Sequence, residues 1–207
     1  IGLGTLVDGA LHPAWTWDFL RAEPITFANV VGLTDDDGSS AVTLSEHMAR
    51  QFRADLSWSD IDWLRTVWDG PIVLKGIQCV ADAQQAADLG VEAVALSNHG
   101  GRQLDDAPAP IDLVEPVREA VGDRTTIICD GGVRRGSDIV KAIALGADAV
   151  SIGRPYLYAL GAAGERGVDH LLDFFRDGLQ RTMALSGVRT IGEIDRDLVR
   201  SARVRHG

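Results

Sequence analysis

Gly90-Val91-Glu92-Ala93-Val94-Ala95-Leu96 and Gly146-Ala147-Asp148-Ala149-Val150-Ser151-Ile152 match position by position in chemistry, and this repeat decides the fold. In each copy a glycine ends a helix, an acid turns the chain, and an apolar run forms the next strand. Each copy is preceded by a helical pattern, Ala81 to Leu89 in the first and Asp138 to Leu145, capped by Ser137, in the second. Two more units lie outside them. Ser57-Trp58-Ser59-Asp60 caps a helix carrying Ile61, Leu64 and Val67, which Gly70-Pro71 ends before the strand Ile72 to Lys75. A helix over Ile111 to Val121 stops at Gly122 and leads to the strand Thr126 to Asp130. Strands alternating with helices predict a parallel α/β sheet, and repeated units favour a (β/α) barrel.

A closed barrel needs eight strands and about 250 residues, whereas this chain has 207 residues and all of its strands follow Ile72. Half a barrel is expected over residues 57–207, finished by a packing helix from Val168 to Leu185 and a short helix from Thr190, with Glu193 three residues on. Residues 1–56 are organised differently from the rest. Helix-compatible pieces (Leu6 to Leu20, Leu44 to Phe52) flank a small, acidic segment, Thr34 to Ser40, expected to be a mobile loop. Trp15, Trp17, Trp58, Trp63 and Trp68 are expected as packing anchors.

Composition narrows the function classes. A hydrophobic share of 45% and a charged share of 24% are those of an ordinary globular protein. A net charge of −10 argues against a surface built for nucleic acid or anionic lipid. An anionic ligand must then be held by a local positive site. Cys79 and Cys129 lack metal-ligand spacing and fit a reducing, cytoplasmic setting. No apolar run approaches the ~18 residues of a membrane span. The chain opens on Ile1-Gly2-Leu3-Gly4 without a Met, as a processed or truncated chain would.

Every strand end carries polar chemistry. Lys75-Gly76 follows the first strand, Ser97-Asn98-His99-Gly100-Gly101-Arg102-Gln103-Leu104-Asp105 the second, Asp130-Gly131-Gly132-Val133-Arg134-Arg135-Gly136 the third, and Gly153-Arg154-Pro155 the fourth. In a barrel these ends converge on one face. The last two read as a phosphate site, because glycines let backbone N–H groups approach an anion while Arg134 and Arg154 clamp its oxygens. Barrels often bind phosphate after strands seven and eight, which would make these strands the fifth to eighth. The alternative gives the glycines to turns and the arginines to surface acids. His99 and Arg102 share one turn: an imidazole can take a proton and a guanidinium can grip a carboxylate with two hydrogen bonds. His12, His47, His170 and His206 lack such company.

The motif Ser97 to Asp105, together with Asp130-Gly131-Gly132-x-Arg134-x-Gly136 and Gly153-Arg154, resembles the signature of the FMN-dependent α-hydroxy-acid dehydrogenases and oxidases. His12-Pro13-x-Trp15-x-Trp17-Asp18 and Trp58 to Trp68 resemble the respiratory L-lactate dehydrogenase branch. The resemblance implies FMN as cofactor and oxidation of an L-2-hydroxy acid, L-lactate to pyruvate. It implies His99 as base, Arg102 as carboxylate clamp, Lys75 against the N1/C2-carbonyl edge of the flavin and Ser97 as a flavin contact. Asp130, Gly131, Gly132, Arg134, Gly153 and Arg154 would hold the ribityl phosphate. The resemblance also implies that residues 1–56 are an insertion region. It also implies a homo-oligomer, an electron acceptor (quinone, cytochrome or oxygen), and a cytoplasmic protein that associates peripherally with the inner face of the membrane. The family's N-terminal half, with its first four strands, two active-site tyrosines and an aspartate that orients the histidine, has no counterpart in this sequence. The isolated chain is therefore expected to be inactive until that half or a second copy closes the barrel. Two rivals stay open at this point: a non-catalytic half-barrel binding or assembly module, and another FMN or phosphosugar barrel enzyme.

Overall fold

The structure is a computed structural model that describes residues 2–22, 53 and 55–200. The chain divides into two compact units, Ile1–Trp68 and Asp69–Gly207. The segment Thr34 to Ser40, the helix expected over Leu44 to Phe52, His47 and His206 lie outside the described residues.

In the first unit, helices α1 (Leu3–Leu11) and α2 (Pro13–Arg21) replace the continuous piece expected from Leu6 to Leu20. The break has a simple cause: Pro13 has no N–H to donate and disfavours helical geometry at His12, which sits at φ −121° and ψ 61°. Pro13 then serves as the first residue of α2. Thr16 Oγ1 donates to Gly9 O at 2.8 Å, tying the two helices together. Neither helix buries a residue. The expected packing anchors are corrected here. Trp15, Trp17, Trp63 and Trp68 are more than half exposed. Trp15 instead stacks on Phe19 and Trp17 lies under Arg21. Helix α3 (Ser59–Val67) buries Ile61, and its first turn is fixed by the Asp60 carboxylate, which accepts from the Ser57 backbone N–H at 2.6 Å.

The second unit is an α/β layer: β1 (Val73–Ile77), α4 (Val80–Asp88), β2 (Ala93–Leu96), α5 (Pro110–Val121), β3 (Thr126–Asp130), α6 (Gly136–Ala144), β4 (Ala149–Ser151) and α7 (Arg154–Ser186). The four strands are parallel in the order β1-β2-β3-β4, the arrangement of a partial (β/α) barrel. All four residues of β2 are buried, as a strand covered on both faces requires.

The repeated acid has a definite job. Glu92 Oε2 accepts from the backbone N–H of Ile72, and Asp148 Oδ2 from that of Ile127, each at 2.7 Å. Each acid therefore fastens its own strand to the start of the preceding one.

Three local expectations are revised. Helix α6 starts at Gly136, and Asp138 rather than Ser137 closes its first turn by accepting from the N–H groups of Arg134 and Arg135 at 3.1 Å. A carboxylate three residues into a helix is well placed to reach back to them. Helix α7 begins at Arg154, far ahead of Val168, with non-helical backbone at Ala163 and Gly164. The turn after Thr190 is a 3₁₀ segment, Ile191–Glu193, and Glu193 accepts from Arg189 N. Val140, Ala144, Met183 and Ile194 form a core between α6 and the chain's end. Gly136 lies so close to α7 that a Cβ there would stand 2.0 Å from Leu179 N.

Candidate active site

The C-terminal ends of all four strands meet through side chains. Lys75, at a bulge in β1, places Nζ 2.7 Å from Asp130 Oδ2 and donates to Ser97 Oγ at 3.1 Å. Ser97, buried beyond β2, donates to Asp130 Oδ2 at 2.6 Å. Ser151 of β4 adds a further hydrogen bond to that carboxylate. Burial alone would raise the Asp130 carboxyl, but Lys75, Ser97 and Ser151 outweigh it and hold the group below the usual carboxylate range. On the neighbouring residue of β3, burial and then the Asp130 charge push the Cys129 thiol up to about 11.

The base candidate hangs on this network. Ser97 Oγ also accepts from the backbone N–H of His99 at 3.1 Å. His99, Gly100 and Gly101 have φ of +56°, +68° and +72°, so three successive residues are left-handed. Glycine tolerates this freely, and among other residues histidine is one of the more tolerant. Asn98 Oδ1 accepts from Gly101 N at 3.2 Å, and Gln103 Nε2 lies 3.1 Å from His99 Nδ1. From the fourth strand end, Arg154 Nη2 donates to the Gly100 carbonyl at 2.5 Å.

Lys75, Ser97, His99, Asp130 and Arg154 are thus brought together by direct bonds or through the His99 turn. Arg102 and Arg134 are exposed on the same strand-end loops, and among the described residues their side chains make no hydrogen bond or ion pair. Ser151 and Gln103 were missed by sequence reasoning. Ser151 had a signal, since it is the one polar residue in an apolar strand and stands where the other copy of the repeat has Ala95.

The chain matches the model of the FMN-dependent dehydrogenase family over residues 1–201. It belongs to that family. It is 42% identical over 203 residues to an L-lactate dehydrogenase of Caulobacter vibrioides, covering 98% of this chain and 53% of that protein. A putative L-lactate dehydrogenase of Mycobacterium tuberculosis is 42% identical over 192 residues, covering 93% and 45%. Among solved structures, a monotopic membrane protein, (S)-mandelate dehydrogenase, matches with a TM-score of 0.86 and 38% identity over 98% of this chain and 53% of that one. The flavin-binding domain of baker's yeast flavocytochrome b2 matches with a TM-score of 0.67 and 44% identity, covering 70% and 38%. The chain spans about half the length of the curated relatives it matches.

FMN is the cofactor of this family, and the strand ends suit it. Gly132 and Gly153 have nothing within 4 Å of where a Cβ would stand, Gly131 and Gly132 have φ of +123° and +76°, and Arg134 holds a guanidinium nearby in sequence. Backbone open on one side beside a cation is the donor set a phosphate requires. Among the described residues no group of three or more His, Cys, Asp or Glu side chains is placed to hold a metal ion.

Proposed function

We propose that this chain carries the base, the carboxylate clamp and the flavin contacts of an enzyme that oxidises an L-2-hydroxy acid, L-lactate, to its 2-keto acid. The observation that carries the reading is the suspension of His99 from the Lys75–Ser97–Asp130 network. It ties an imidazole, through one serine, to the only lysine–carboxylate pair at these strand ends among the described residues. The relatives named L-lactate dehydrogenase support the choice of substrate.

FMN, when bound, supplies the two-electron acceptor. The chain's own residues do the rest. Arg102, with its guanidinium uncommitted, holds the substrate carboxylate with two parallel hydrogen bonds. His99 takes a proton from the substrate carbinol at Nε2, the ring nitrogen with no partner among the described residues. Lys75 would hold positive charge against the ring of bound FMN, and Asp130 keeps that ammonium in place. Gly131, Gly132, Gly153 and the Arg134 and Arg154 guanidiniums hold the phosphate. Asp130, itself an anion and paired with Lys75, serves the ring end of the cofactor through that ammonium and not by facing the phosphate.

Helices α1 and α2 suggest where the enzyme works. Leu3, Leu6, Leu11, Trp15, Phe19 and Leu20 are all more than half exposed, and (S)-mandelate dehydrogenase is a monotopic membrane protein. These helices dip into a bilayer interface by apolar and aromatic contact, which an acidic chain can do without a basic patch.

The test uses the complete FMN-loaded protein. Anaerobic L-lactate should bleach the flavin absorbance, and His99→Ala should abolish bleaching with FMN still bound. No bleaching of the unmodified protein would leave a binding module or a different barrel enzyme, and unimpaired bleaching in the variant would refute the base assignment.

A further inference from the structure

We propose that Ser151 is a positioning residue for flavin reduction: its hydroxyl, donating to the Asp130 carboxylate, spreads that negative charge and leaves more of the Lys75 ammonium's field for the ring of bound FMN. This rests on the reading of Lys75 as the cation beside that ring and goes beyond it.

The register of the sheet brings the two side chains together. Asp130 and Ser151 are the last residues of β3 and β4 and are Cα partners in the parallel ladder, so they stand side by side on one face. The repeat shows that the hydroxyl is not required by the strand itself. Its first copy has Ala95 at this position, partnered by Lys75 and Ile128. A methyl group is enough there, whereas the position beside the acid carries a hydroxyl.

The pair faces two different surroundings. Lys75 Nζ stands 2.7 Å from Asp130 Oδ2, Ser97 Oγ donates to the same oxygen at 2.6 Å, and Ser151 gives the carboxylate a further hydrogen bond. The Asp130 side chain is 15% exposed against 56% for Lys75, so water reaches the ammonium and does little to screen the carboxylate. Without other donors, such an anion would cancel most of the ammonium's field. Each neutral donor offsets part of its charge, and the pair turns a more positive face toward the ring. Negative charge placed there by reduction is then stabilised. Cys129, the other titratable neighbour, has its thiol pushed up to about 11 and stays neutral. Ser97 also accepts from Lys75 and from the His99 N–H, so changing it would disturb the base as well. Ser151 is the separable donor.

The experiment equilibrates the complete FMN-loaded protein with a reference dye at pH 8, comparing Ser151→Ala, Ser151→Thr and Lys75→Met with the unmodified protein. Losing the hydroxyl should move the equilibrium about three- to tenfold toward oxidised flavin, a fall of roughly 15–30 mV for two electrons. Ser151→Thr keeps the donor and should restore it. Denaturant unfolding gives a second readout: with one donor gone the Asp130 carboxyl lies closer to its unfolded value, so the acid-side loss of stability should begin at higher pH in Ser151→Ala. A potential unchanged in Ser151→Ala, an equal fall in Ser151→Thr, or an acid-side loss that does not move would each overturn the proposal. Lys75→Met should lower the potential by more than Ser151→Ala does. No change in that variant would refute the placement of Lys75 at the ring, and the proposal with it.

Discussion

Arg154, the first residue of α7, and Gly100, in the turn beyond β2, are joined by a 2.5 Å hydrogen bond across fifty-four residues of sequence. The guanidinium lies so near that a Cβ on Gly100 would come within 2.6 Å of Nη2, and Gly100 sits at φ +68°. A loop expected to bind phosphate thereby also braces the turn that carries the base. Gly100→Ala should cost about 1–3 kcal/mol of stability from left-handed strain, and slow flavin reduction by L-lactate at least about tenfold. Thermal denaturation and stopped-flow absorbance check both; unchanged values would mean the brace has no consequence.

Asp130 makes stability depend on pH. Its folded carboxyl lies below the usual range, so its contribution is present above the unfolded value of about 3.9 and is lost as pH falls through the lower folded value. Denaturant unfolding at a series of pH values should show this acid-side loss, and Asp130→Asn should not. Curves that stay parallel down to low pH would contradict it.

Gly136 and Gly178 mark the contact of α6 with α7, and their tolerances differ. A Cβ on Gly136 would meet Leu179 N at 2.0 Å, whereas one on Gly178 would meet Gly136 N at 3.1 Å. Gly136→Ala must part the helices, at about 1–3 kcal/mol or more, and Gly178→Ala should cost less. Urea midpoints in the reverse order would refute this.

The two cysteines should differ sharply toward alkylation. Cys79 is exposed, while Cys129 is buried with its thiol pushed up to about 11, and the thiolate is the reactive form. At pH 8 iodoacetamide should label one site per native chain, and mass spectrometry should place it at Cys79. Equal labelling would show that β3 opens readily.

Membrane contact through α1 and α2 predicts co-sedimentation of the complete protein with pure phosphatidylcholine vesicles, little affected by salt. Trp15→Ser with Phe19→Ser should weaken it by removing the stacked pair, whose ring centroids are 5.2 Å apart. Binding that required anionic lipid would point to charge instead.

Much of this fold was legible because glycine, acid and apolar run recur at fixed spacing, and β2 and β3 run over the residues expected of them. The Asp130, His99 and Arg154 positions were legible as strand ends. What escaped depended on contacts distant in sequence or on a choice between neighbours. Ser151 reaches Asp130 only once β4 lies beside β3, and Gln103 reaches His99 only through three left-handed residues. Ser137 and Asp138 were both able to cap α6, and the longer carboxylate reached the two free N–H groups. Trp15 and Trp17 looked like core because large rings usually bury, but α1 and α2 bury no residue.

The acids at the opposite end of the sheet bear on how the molecule assembles. Glu92 grips Ile72 and Asp148 grips Ile127 across only 20 and 21 residues, while the buried Thr125 hydroxyl donates to Val91 O between them. Each strand finds its alignment from the one just before it, so the sheet can be laid down in the order in which the ribosome delivers it. Short-range registration of this kind favours rapid folding, and it leaves the loops at the other rim free to diverge without endangering the alignment beneath them.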